Sequence, residues 1–180
     1  KAAAMSAVMG IAGGLAGPAM GALGTGLGKL VDNIEDPIEA HYNHIPFFPL
    51  ATVEFHTGKL VYGTISDKKV VVMQGRFHLY EGYDFLDITY PIRVMHMLGI
   101  SKLFISNAAG AVNLDYKKGD MMLIEDHINL QGGSPLAFKN VGEFGERFAD
   151  MSEPYDLDMR TKLLAIAKAQ NISLKTGVYA

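Results

Sequence analysis

The feature that most constrains this chain is an alternation of β-rich runs and helical patterns that follows an opening hairpin. Lys59–Ile65 and Lys69–Met73 are rich in β-branched residues and are separated by Ser66-Asp67-Lys68, a turn signal. Phe85–Leu98 then sets Ile88, Ile92, Met95 and Leu98 near helical spacing, with Pro91 in an early turn and Gly99 as the stop. Lys102–Ser106 and Met121–Ile128 are short apolar strands. Asp156 can cap a helix running to about Gln170, with Leu157, Leu163, Leu164, Ile166 and Ala167 on its buried side. Leu174–Ala180 reads as a last strand. Strands separated by helices return parallel, so the fold class is α/β, a mixed and partly parallel β-sheet flanked by helices. Ligands of such sheets bind at loops past the carboxyl ends of the strands.

At 180 residues this is one domain's worth of chain, with neither an internal repeat nor a linker to divide it. The net charge is −3, and no Lys/Arg cluster interleaves with aromatics, which excludes the usual nucleic-acid footprint. The absence of cysteine removes disulfides, thiolate metal sites and thiol nucleophiles. After Lys1 no charge occurs until Lys29, and Ala2–Gly28 is mostly Ala, Gly, Met and Leu. That length could span a membrane, but its glycines and Pro18 argue for a small-residue helix or irregular lead-in to the first strand.

Three segments fall where a strand end should present a ligand. Gly24-Thr25-Gly26-Leu27-Gly28 can turn backbone N–H groups toward an anion, and the Thr25 hydroxyl adds a donor. It is no nucleotide P-loop, since Leu23 and Leu30 stand where Gly and Ser/Thr belong. It is no dinucleotide fingerprint either, because Lys29 replaces the last glycine. A plain tight turn fits the loop equally well. Arg76 and His78, just after a strand, project from the same side of an extended backbone. A guanidinium fork beside an imidazole suits phosphate, although an Arg76–Glu81 ion pair is the ordinary alternative. Asn107-Ala108-Ala109-Gly110 ends another strand, and its small side chains leave the Ala108 amide accessible. His56 could face the same anion. His41-x-x-His44 lacks a third ligand, no G-x-S-x-G elbow occurs, and Asp126-His127 fits packing or a structural hydrogen bond.

The string Met73-Gln74-Gly75-Arg76-Phe77-His78-Leu79-Tyr80-Glu81-Gly82-Tyr83 closely resembles the signature of trimeric-type purine nucleoside phosphorylases. The resemblance continues through Gly24–Gly28, Ile45-Pro46-Phe47-Phe48-Pro49, Asn107–Gly110, Gly119-Asp120, Asp126-His127-Ile128-Asn129 and Arg147-Phe148-Ala149-Asp150-Met151-Ser152. It covers nearly everything from Gly24 to Ala180, in the family's order and spacing. It implies a nucleoside phosphorylase-like fold and phosphorolysis of purine (deoxy)nucleosides to free base and (deoxy)ribose 1-phosphate. Thr25, His56, Arg76, His78 and the Ala108 backbone amide would hold phosphate, with Arg76 and His78 in the catalytic role. Tyr80 would lie against the ribose, and Phe148 would enter a neighbouring subunit's pocket in a homotrimer. The implied protein is cytoplasmic, binds neither membrane nor nucleic acid, and needs no metal or other cofactor, phosphate being a substrate.

The departures from the pattern are Phe55 before His56, Ala111 for a second glycine, Ala149 for a proline, and the atypical Ala/Gly-rich residues 1–23. The chain also stops before the family's G-P-x-(F/Y)-E-T segment. The expectation is therefore a single, incomplete phosphorylase domain over 1–180 that alone does not turn over nucleoside. Methylthioadenosine phosphorylase and a non-catalytic fragment that only folds or binds phosphate remain the alternatives.

Overall fold

The computed structural model describes residues 3–10, 20–23, 28–49, 58–137 and 144–180. Its strands are β1 (Ala3–Gly10), β2 (Met20–Leu23), β3 (Glu35–His41), β4 (Lys59–Ile65), β5 (Lys68–Gln74), β6 (Ile100–Gly110), β7 (Met121–His127) and β8 (Leu174–Tyr179). The helices are α1 (Phe85–Met97) and α2 (Leu157–Ala169). The strands form one sheet in the order β3-β4-β5-β2-β6-β1-β7-β8. It is mixed, as expected: β2 runs parallel to both β5 and β6, and β7 runs parallel to β1 and β8. The pairs β1–β6, β3–β4 and β4–β5 are antiparallel.

The hairpin forms because Ser66 and Asp67 adopt φ values of 47° and 62°. This is the doubly positive geometry of a two-residue turn whose twist matches its strands. α1 begins where Asp84 accepts hydrogen bonds from the amides of Leu86 and Asp87, with Asp87 reaching back to the Asp84 amide. Gly99, at φ 86°, ends it. Pro91 lies in the helix interior rather than an early turn, and it is buried.

Three expectations need correction. The Ala/Gly-rich lead-in holds strand β1, not a helix, over Ala3–Gly10, because antiparallel β6 supplies a full ladder from Leu103 to Gly110. For the same reason Asn107–Gly110 is not a turn past a strand but the last third of β6. The inward stripe of α2 is Met159, half-buried Leu163 and Ala167, four residues apart, while Leu157, Leu164 and Ile166 are exposed. β3 was not foreseen: all seven of its residues are exposed, so no alternation marks it, and its register shifts between Glu35 and Ile38, around Pro37.

The main core packs Tyr42, Phe48, Val71, Met73, Phe77, Met95 and Ile100 between β5, α1 and the start of β6. A smaller cluster, Ile124 and Tyr155, lies between β7 and the approach to α2. A cavity opens between the two.

Candidate functional site

β2 ends opposite Val72 of β5 and Phe104 of β6. Past that point β5 releases its chain into Gly75-Arg76, whereas β6 runs on to Gly110 without a described partner on its β2 side. The cavity, about 860 Å³, sits at these carboxyl ends and is lined by Arg76, His78, Tyr80 and Ala108 together. Arg76 and Ala108, 32 residues apart in the chain, thus share one space. Thr25 and His56 lie outside the described residues.

The departure from β5 is held in place by the core. The Tyr42 hydroxyl, buried and pushed far above its ordinary pKa by desolvation, donates to the Gly75 carbonyl oxygen at 2.8 Å. Gly75 itself takes φ 119°, a conformation that disfavours any side chain. Phe77 then turns inward, 4% exposed, against Tyr42, Phe48 and Tyr83. With Phe77 anchored inward, its neighbours Arg76 and His78 face the cavity.

Glu81 settles the alternative for Arg76. It accepts hydrogen bonds from the His78 backbone amide at 2.9 Å and pairs with His78 Nδ1 at 2.5 Å. Among the described residues no carboxylate pairs with Arg76, and its Nε is buried without a hydrogen-bond acceptor. Burial lowers the Arg76 pKa, an effect opposed by the phenols of Tyr80 and Tyr179. A guanidinium remains cationic despite such a shift. Among the described residues no Asp or Glu lines the cavity. A desolvated cation in a space without carboxylates is the electrostatic signature of an anion site.

Tyr80 is mostly exposed and stacks on His78 with centroids 4.6 Å apart. Phe148 is 85% exposed, with the Arg147 guanidinium 5.6 Å from its ring, and it does not line the cavity. His41 and His44 are edge to face at 5.9 Å, and among the described residues no group of three or more His, Asp or Glu could hold a metal. His127 does make the structural hydrogen bond expected of it, to the Tyr155 hydroxyl. Sequence reasoning did not single out Tyr155 or Tyr179, which also line the cavity. Both are lone aromatics whose convergence depends on parallel pairing of distant strands, so no local pattern signals them.

A family model described as "Phosphorylase superfamily" matches residues 19–180. Purine nucleoside phosphorylase 1 of Bacillus subtilis is 50% identical over 157 residues, covering 87% of this chain and 58% of the relative. A Schistosoma mansoni purine nucleoside phosphorylase, solved in complex with inosine, superposes with a TM-score of 0.83 at 43% identity, covering 90% of this chain and 59% of that one. A purine nucleoside phosphorylase solved with ribose-1-phosphate gives a TM-score of 0.83 at 44% identity, covering 90% and 62% respectively. The chain therefore spans about three-fifths of the length of these relatives.

Proposed function

Because this chain belongs to the phosphorylase superfamily, we propose that it supplies the phosphate-binding half of a purine nucleoside phosphorylase. In the reaction, inorganic phosphate attacks the sugar carbon, the glycosidic bond breaks, and the purine leaves as free base with ribose 1-phosphate as the other product. The observation that carries this reading is Arg76: a half-buried guanidinium whose Nε is buried with no acceptor among the described residues, on a cavity that no described Asp or Glu lines.

The chemistry follows from that placement. As the glycosidic bond stretches, positive charge grows on the sugar, and a fixed phosphate stabilises it while acting as nucleophile. Arg76 binds the phosphate through charge-assisted hydrogen bonds. His78, whose Nδ1 pairs with Glu81, presents its imidazole to the same phosphate. Thr25, His56 and the Ala108 amide complete the cradle, and Tyr80 borders the ribose. Phe148, whose ring stands out from the surface, reaches a neighbouring subunit's pocket in a homotrimer. The reaction needs no metal or organic cofactor, and we read the protein as cytoplasmic. Among the described residues no helix is long and apolar enough to cross a membrane.

The test has two parts. Inorganic phosphate should raise the melting temperature of the chain, and the rise should grow with phosphate concentration. The protein that carries this chain should release hypoxanthine from inosine only when phosphate is present. Base release without phosphate, release from methylthioadenosine alone, or no stabilisation by phosphate overturns the proposal.

A further inference from the structure

Three side chains that line the cavity, His127, Tyr155 and Tyr179, meet one another and have no part in the reading above. His127 ends β7, directly after a register shift between Ile124 and Asp126, and its partner on β8 is Tyr179. A bulge of this kind re-aims the side chain that follows it. Tyr155 is 6% exposed, and its hydroxyl bonds His127 Nδ1. The His127 ring centroid lies 5.4 Å from that of Tyr155 and 5.2 Å from that of Tyr179. The Ile128 amide donates to the Tyr179 carbonyl oxygen at 2.8 Å, so β7 and β8 stay joined to the edge of the cavity. On the other side, Arg160 of α2 donates to Glu125 of β7 at 2.9 Å, which ties the segment bearing Tyr155 to the same strand.

The ionisation states agree with a directed bond. Desolvation lowers the His127 pKa, against a smaller opposing effect of Asp126, and so favours the neutral ring. Burial, with Asp126 and Tyr179 adding to it, pushes the Tyr155 phenol up to about 12. A neutral imidazole accepts at Nδ1 from a phenol that keeps its proton. The Tyr179 ring that His127 touches lines the same cavity as Arg76.

We propose that Tyr155 is a positioning residue: through its hydrogen bond to His127 it fixes the Tyr179 wall of the cavity, and so sets the fit of the sugar portion of a sugar phosphate rather than of the phosphate itself. This rests on the phosphorolysis reading. The packing around the bond is thin: among the described residues the cluster that holds Tyr155 has one other buried member, Ile124, with Ile105, Met122 and Tyr179 partly buried against it. The hydroxyl, not the ring alone, therefore determines the orientation of His127.

Tyr155→Phe keeps the ring and deletes that hydroxyl. Calorimetric titration with ribose 1-phosphate and, separately, with inorganic phosphate reads the two parts of the ligand. The expected result is about threefold to tenfold weaker ribose 1-phosphate binding, the loss typical of one net hydrogen bond, with phosphate binding unchanged. A merely structural role would weaken both alike or neither. As a second measure, His127→Asn places an amide near the Nδ1 position and should retain more ribose 1-phosphate affinity than His127→Gln, whose amide falls near Nε2. If the unmutated chain binds both ligands, while Tyr155→Phe matches it for both and the two His127 variants are equal, the positioning role is overturned and phosphorolysis stands. If the unmutated chain binds neither ligand, both are overturned.

Discussion

Among the described residues, the wall that carries Arg76 is backed by seven buried side chains clustered between β5, α1 and β6, whereas the cluster behind His127 and Tyr179 has two, Ile124 and Tyr155. On the first wall, packing does the positioning. Phe77 is anchored among aromatics, Gly75 is pinned by the Tyr42 hydroxyl, and the charged side chains follow from the alternation between them. On the second wall, hydrogen bonds take over: Tyr155 to His127, and Arg160 to Glu125. The contrast teaches that a cationic group held out of water needs a rigid mount, because a mobile one would turn back to solvent. An aromatic wall carries no such penalty and can be aimed by a single polar contact.

The contrast can be broken most directly by stability measurements. Met95→Ala, at a site 2% exposed within the larger cluster, should cost about 2–5 kcal/mol in denaturant unfolding. Ile166→Ala on α2, at a site 52% exposed, should stay within about 0.5 kcal/mol. Equal losses would mean that the two sides are packed alike. A smaller effect is expected at the first wall's functional group. Arg76→Ala should weaken phosphate binding about tenfold to 100-fold, the scale of hydrogen bonds to a charged group. Without phosphate the same variant should unfold no more easily than the parent, since it removes a desolvated cation that no described carboxylate pairs with. A clear loss of stability in phosphate-free buffer would assign Arg76 a structural ion pair instead.

The smallest effect belongs to the second wall and to pH. The folded-state pKa of His127 lies below the ordinary 6.5. Between those two values the unfolded chain binds a proton that the folded chain does not, so stability falls as pH falls through that window. Melting temperatures of the parent and of His127→Asn, compared from about pH 7 to about pH 5, should show the parent losing more on acidification. Parallel curves would mean that His127 titrates as it does in the unfolded chain.

Much of this is legible in the amino-acid sequence alone. The β4–β5 hairpin, both helices and the mixed sheet follow from short-range patterns: β-branched runs, a two-residue turn, Asp156 as a cap, and strands separated by helices. The shared orientation of Arg76 and His78 was legible for the same reason, as two residues apart on an extended backbone face one way whatever surrounds them. The small residues of β1 carry no strand signal, and that strand exists because β6 offers it a ladder. The exposed residues of β3 show no alternation, so only pairing with β4 defines it.

The sequence by itself determined which local elements form and which side chains leave a strand together, because propensity and alternation act between near neighbours. Only the three-dimensional structure decided that Glu81 pairs with His78, three residues before it, and that no described carboxylate pairs with Arg76, five residues before it, since both side chains are long enough to reach a carboxylate at those spacings. It also decided that His127, Tyr155 and Tyr179 meet on one wall. Their convergence depends on β7 pairing with a strand about fifty residues further along, a contact whose loop-closure cost no local pattern records.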